Sequence, residues 1–280
     1  MPTFTGAAGR VFHDTWRPSG EIRGTVVLLH GYGEYLELYD ALARRLTAHG
    51  QVVHALDAVG HGRSDGERAL IPTWDIYVDD ARVLARIARD EDPGVPLTVI
   101  GHSAGGVATT LLALRSPEVA DALVLSGAPL RPQEWIHEWL AAGEPETPAE
   151  DPREALSTHP EYVDALMHHP LTYHGGFRRE TLLAVTQTWP EIAAGLADGR
   201  PGVPVLLVHG EADPVVPVEH SRQTAAQLPD ARVVTFPADL HDVLNEHDRD
   251  TVHDAVVAFV DEVTASVATD SSRTEAVPAP

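Results

Sequence analysis

The chain has 280 residues, with 20 basic against 42 acidic side chains and a formal net charge of −22. Every basic residue is arginine and there is no cysteine, which excludes a disulfide framework, a thiolate metal site and a cysteine nucleophile. So negative a chain repels phosphate backbones and anionic bilayers, so nucleic acid is not an expected partner, and no apolar run reaches the ~18 residues of a membrane span.

The length allows one large domain or two small ones, and a single α/β domain commonly reaches this size. The N-terminus, Met1 to Arg10, lacks the basic-then-apolar layout of a signal peptide. The expected location is cytoplasmic.

Phe4 and the stretch Val11–Trp16 predict a starting hairpin. Thr25–His30 is a continuous aliphatic run and predicts a strand. Tyr35, Tyr39, Leu42 and Leu46 then fall on one face of a helix that Gly50 closes. Gln51–Leu56 predicts the next strand, and Tyr77, Ala81, Leu84 and Ala88 a second helix. Leu97–Ile100, Ala122–Leu125, Val203–Val208 and Arg232–Phe236 predict further strands, with a helix over Val107–Leu114 and a last one over about Asp248–Val263. Apolar runs separated by helices mean a parallel sheet covered on both faces.

The rhythm breaks between Ala128 and Arg200, where helical pieces carry Trp135, Trp139, Tyr162, Leu166 and Trp189. Residues 129–200 are therefore expected to form a helical cap over the strand ends, a loop decorating the sheet's side being the alternative. The core is expected over 1–128 and 201–264. Residues 265–280, rich in Ser, Thr, Ala and Pro, are expected to be a disordered tail.

The strand Leu97–Ile100 runs into Gly101-His102-Ser103-Ala104-Gly105-Gly106 and then a helix. This is G-x-S-x-G in strand–turn–helix context, where small residues lift a serine above the sheet. Ser103 is the expected nucleophile, with Gly101, His102 and Gly105 forming the turn. A serine needs a base, and the base an orienting acid. His241 follows the last strand and Asp213 the strand ending at His209, both at carboxyl ends where sites form. Glu211 rivals Asp213. His247 and His253 rival His241, but fall in the last helix pattern. The order Ser103, Asp213, His241 is that of α/β-hydrolases.

Acyl transfer needs two oxyanion donors. The backbone N–H of Ala104 is one, and that of Tyr32, between Gly31 and Gly33, the other. Asp57, His61 and Asp65 tempt towards a metal site but read better as a loop supporting the oxyanion strand. His168, His169 and His174 lack ligand spacing, and no metal is expected.

The motifs His30-Gly-Tyr-Gly-Glu34, Gly60-His-Gly-Arg-Ser64, Gly101–Gly106, Gly210-Glu-Ala-Asp213 and His241-Asp-Val-Leu-Asn-Glu246 together resemble the monoacylglycerol lipase and lysophospholipase-like α/β-hydrolases. The similarity runs from about Thr25 to Val263. It implies a mostly parallel sheet flanked by helices, and hydrolysis of a carboxylic ester by Ser103, His241 and Asp213 without a cofactor. The implied substrate is a small ester or monoacyl lipid under a helical lid. The chain departs from the family pattern at Ala104, where methionine is common, at Val59, where arginine is, and at His169, where aspartate is. Acyltransferase, lactonase or thioesterase chemistry on the same triad remains open, as does a non-catalytic binder. A dehalogenase or epoxide hydrolase would need aspartate at position 103.

Overall fold

The computed structural model describes residues 2–275. Its first two strands, β1 (Thr3–Gly6) and β2 (Gly9–Trp16), form the expected antiparallel hairpin. Then β3 (Gly24–Leu29), β4 (Gln51–Leu56), β5 (Leu97–His102), β6 (Ala122–Ser126), β7 (Val205–Gly210) and β8 (Ala231–Phe236) follow the predicted runs closely. Among the described residues they make one sheet in the order β1-β2-β4-β3-β5-β6-β7-β8, parallel from β4 to β8.

Alternation within each strand divides the core in two. Val27 and Leu29 of β3 join one cluster, with α2 (Trp74–Glu91) and α3 (Ala104–Arg115). Val26 and Leu28 join the other, with α1 (Asp40–Ala48) and the last helix. Strands β3 to β7 are buried throughout, which explains their apolar runs. The edge strand β8 is only half-buried. At the start of α2, Thr73 caps the helix by accepting the N–H of Asp75.

Four helices lie between β6 and β7: α4 (Glu134–Ala142), α5 (Pro152–Ala155), α6 (Pro160–His168) and α7 (Arg179–Ala197). They are tied to the core by polar bonds as well as packing. Trp189 Nε1 donates to the Pro129 carbonyl at 2.9 Å, and Tyr173 N–H to the Gly33 carbonyl at 2.8 Å. After β7 come α8 (Val218–Ala225) and, beyond β8, α9 (Arg249–Glu275).

Helix α9 runs past the expected end near Val263, into the segment read as a disordered tail. Between Ala265 and Glu275 there is neither glycine nor proline, and a helix already packed on the core extends by one bond per residue until something stops it. The rest of the expected tail, residues 276–280, lies outside the described residues. No helix among the described residues is long and apolar enough to cross a membrane.

Candidate active site

Ser103 stands between the end of β5 and the start of α3, with φ 46° and ψ −112°. A left-handed backbone at a residue with a side chain is strained. Close packing holds it there. A Cβ on Gly101 would collide with the Gly105 carbonyl and Thr109, and one on Gly105 with the Leu29 carbonyl. The Ser103 N–H is anchored to the Ser126 carbonyl of β6 at 2.8 Å. The turn residue His102 is buried, its Nδ1 3.1 Å from Ser126 Oγ.

The structure brings Ser103, His241 and Asp213 together from the ends of β5, β8 and β7. His241 Nε2 lies 2.9 Å from Ser103 Oγ, and His241 Nδ1 lies 2.8 Å from Asp213 Oδ2. An ionised carboxylate only accepts, so Nδ1 carries the ring proton and Nε2 is free to accept the serine's. Gly127 leaves room for the imidazole: a Cβ there would sit 3.0 Å from His241 Cε1. The backbone of the histidine loop is held by the helical insert, with His241 N–H donating to the Ala155 carbonyl and Asp242 N–H to that of Leu156.

The Asp213 side chain is fully buried. Its Oδ1 accepts the N–H groups of Val215 and Val216 at 2.8 and 2.9 Å. Burial alone would raise its pKa. The facing His241, hydrogen bonds from His209 and His241, and the Val216 N–H outweigh that and hold it well below the usual range. His241 shows the converse. Burial works to lower its pKa, but the Asp213 charge and hydrogen bond, helped by Asp242 and Glu34, leave it above the ordinary 6.5.

The loop after β3 carries Tyr32. Its neighbours are fixed: His30 Nε2 accepts the Ala58 N–H, and Glu34 Oε2 accepts the Gly31 N–H at 2.8 Å. Burial pushes the His30 pKa down to about 3, so the ring is neutral, as an acceptor must be. The Tyr32 hydroxyl donates to the Gly176 carbonyl and accepts the Arg178 N–H. Ala104 supplies the first N–H of α3, one of the four per helix that lack an intrahelical acceptor.

The other histidines and acids singled out in the sequence serve locally. Asp57 accepts the N–H groups of Leu36 and Arg63, His61 Nδ1 meets the Val59 carbonyl, and Asp65 pairs with Arg10. Asp57 thus ties the 3-10 turn Leu36–Tyr39, which precedes α1, to the glycine-rich loop. His169 stacks on Tyr35 at 4.6 Å, His168 pairs with Asp164 at the surface, and His174 Nδ1 meets the Leu166 carbonyl. Glu211 pairs with Arg222, His253 Nε2 meets the Leu244 carbonyl, and His247, which lies before α9 and not in it, has its ring 6.2 Å from that of His159, so none of the three rivals takes a place in the relay. Sequence reasoning missed His209, which reaches Asp213, and Tyr162, which reaches Glu34 and Asp242.

The chain matches the Hydrolase_4 family model, described as serine aminopeptidase, S33, over residues 20–248. It is 35% identical to a monoacylglycerol lipase of Mycolicibacterium smegmatis over 273 residues, covering 92% of this chain and 95% of that protein. The chain belongs to this serine hydrolase family of the α/β-hydrolase superfamily. A monoglyceride lipase of Mus musculus is 34% identical over 126 residues, 45% of this chain and 42% of that one. The structure of a soluble variant of monoglyceride lipase from Saccharomyces cerevisiae with a substrate analog superposes with a TM-score of 0.80 at 19% identity, covering 94% of each chain. At that identity the likeness speaks for the fold. As a serine hydrolase, the chain keeps its polar relay where the α/β-hydrolase sheet order puts strand ends together.

Proposed function

We propose that this hydrolase cleaves small carboxylic esters or monoacyl lipids, monoacylglycerols foremost, through an acyl-enzyme on Ser103. Ser103 Oγ attacks the ester carbonyl while His241 Nε2 takes its proton. Backbone N–H groups of Tyr32 and Ala104 receive the oxyanion. His241 returns the proton to the leaving alcohol, and water repeats the sequence to release the acid, with Asp213 holding the imidazole tautomer. The observation that carries this reading is the unbroken pair of hydrogen bonds from Ser103 through His241 to the buried Asp213. The monoacylglycerol lipase relative, similar over nearly its whole length, supports the substrate class.

In the same reading, residues 129–200 are a cap. Their support lies in two cavities whose walls they share with the core: one of about 50 Å³ beside Ser103, and one of about 460 Å³ beyond Tyr32 and Phe177. A cytoplasmic location belongs to the proposal as well, and cell fractionation tests it.

The small cavity favours a second reading, a carboxylesterase for short acyl chains, since a long chain does not fit beside Ser103 as the insert now lies. Hydrolysis rates for monoacylglycerols and aryl esters across acyl length separate the two. In either case Ser103→Ala should leave the fold intact and abolish turnover and fluorophosphonate labelling. Wild-type-like hydrolysis by that variant would falsify the nucleophile.

A further inference from the structure

Beneath His241 lies a second polar cluster. Tyr162 of α6 places its Oη 2.6 Å from Asp242 Oδ2 and 3.0 Å from Glu34 Oε1. All three side chains are buried. A phenol has one proton, and an ionised carboxylate can only accept. Tyr162 can therefore satisfy one carboxylate, and the oxygen on its other side must bring a proton of its own.

The charges around the pair make the same demand. Among the described residues, the one ion-pair partner within reach of either carboxyl is His102, at 3.8 Å from Glu34 and 3.9 Å from Asp242. Burial pushes the His102 pKa down to about 4, so this ring supplies no positive charge near neutral pH. Two buried anions without a cation are costly, and such pairs keep one proton between them.

The two contacts of Tyr162 differ in length, and that difference orients the phenol proton. The shorter contact, to Asp242, is that of a hydroxyl donating to an anion, and Asn245 Nδ2 donates to the same oxygen at 3.0 Å. Glu34 Oε2 accepts from Gly31 N–H and Tyr39 O–H, which leaves Oε1 to carry the hydrogen. We propose that Glu34 is the proton-bearing acid, donating to Tyr162 while Tyr162 donates to Asp242, and that this bridge is a positioning element for His241. The proposal rests on the reading of His241 as the base.

The bridge joins three parts that must register for catalysis. Glu34 fixes the Tyr32 loop, Tyr162 belongs to the insert, and Asp242 follows His241. It also leaves one net negative charge under an imidazole that becomes positive as Ser103 attacks. The titratable groups facing Glu34 are Tyr39, Tyr162, Asp242 and His102, with His241 and Tyr77 further off. Burial, with the Asp242 charge, pushes Glu34 up to about 7, in line with the bridge.

Three variants of the full chain test it. Glu34→Ala should lower kcat/KM tenfold or more. Glu34→Gln should recover most of that, because its amide nitrogen can donate to Tyr162 and its oxygen can accept from Gly31 and Tyr39. At about pH 6 the infrared difference between wild type and Glu34→Gln should show the carbonyl stretch of a protonated carboxylic acid in wild type alone. Asp242→Asn removes the charge that, with burial, keeps Glu34 protonated, so the acid carbonyl band should titrate away at lower pH in that variant than in wild type. A Glu34→Gln enzyme no better than Glu34→Ala, a missing infrared band in wild type, or a band that titrates unchanged in Asp242→Asn each overturns the bridge. Fluorophosphonate labelling keeps the two readings apart. An unreactive Ser103 in a protein that shows the band sinks the base and its positioning but not the shared proton, whereas a reactive Ser103 without the band sinks the bridge alone.

Discussion

His209 Nε2 lies 3.0 Å from Asp213 Oδ2, the same oxygen that receives His241 Nδ1 at 2.8 Å. The Val216 carbonyl is also 2.8 Å from His209 Nε2. Both neighbours accept, so this nitrogen carries its hydrogen and shares it between them, while Nδ1 meets Ser221 Oγ at 2.7 Å. The acid of the relay is thus held from two sides. Replacing His209 by Phe keeps a ring in the buried site but strands the Val216 carbonyl and the Ser221 hydroxyl. The expected cost is about 1–3 kcal/mol of stability per stranded group, with a fall in kcat from a less firmly held Asp213. Urea unfolding and steady-state kinetics check it, and unchanged values for both would remove His209 from the relay.

Asp213→Asn should be more severe for turnover and milder for the fold. The carboxamide nearly matches the shape but can offer its NH₂ to His241 Nδ1, which stabilises the tautomer with the proton on Nε2, the wrong nitrogen for accepting from Ser103. A loss of about 10⁴ in kcat is expected for such a change. Proton NMR of the imidazole N–H distinguishes a tautomer exchange from a displaced ring. An Asn variant with near-wild-type kcat would shift the role of acid elsewhere.

The three residues of the relay were legible because each sits where a local pattern ends. Ser103 follows an apolar strand and precedes an apolar-faced helix, and Asp213 and His241 follow two later strands. Strand identity was legible for the same reason, since β3 to β7 are buried on both faces and read as unbroken apolar runs. What local pattern could not carry is contact across the chain. Tyr162 meets Glu34 and Asp242 from 128 and 80 positions away, and nothing in its own helix distinguishes it from a packing tyrosine. His209 looked like the last residue of a strand, because its partner Asp213 lies across a turn. The length of α9 is hidden for the opposite reason. Ser, Thr and Ala are weak evidence either way, and only the absence of glycine and proline through Glu275 bears on how far the helix runs.

The pH dependence follows from the sign of the His241 shift. A general base works only when neutral, and the folded-state pKa lies above 6.5. Activity should therefore fall as pH drops through a value above 6.5, while Asp213, held well below its usual range, stays ionised throughout. The stability linkage runs the other way for the two groups. The His241 contribution is complete below 6.5 and lost as pH rises through its folded pKa, whereas that of Asp213 is present above 3.8 and lost on acidification. A kcat/KM profile over roughly pH 5–9 tests the first statement. An acidic limb centred below 6.5 would contradict it.

Tyr32 separates what its backbone does from what its ring does. The ring stacks on Phe177 at 4.9 Å, and both residues line the small cavity beside Ser103 and the larger one beyond. Its hydroxyl is pinned to the insert at Gly176 and Arg178, so the wall between the cavities is fixed. Tyr32→Ala removes this wall yet leaves the N–H proposed for the oxyanion. Each additional methylene that finds apolar cover is worth about 0.8 kcal/mol, so three more buried carbons amount to roughly 2 kcal/mol in favour of longer acyl esters. Against that stand the lost stack and hydroxyl bonds, so the melting temperature should fall. Tyr32→Phe is the control: it keeps the wall, loses the two hydroxyl contacts and strands the Arg178 N–H, and its acyl preference should stay with wild type. If the preferred acyl length is the same in Tyr32→Ala as in wild type, the ring is not the barrier, and chain length is set by movement of the insert.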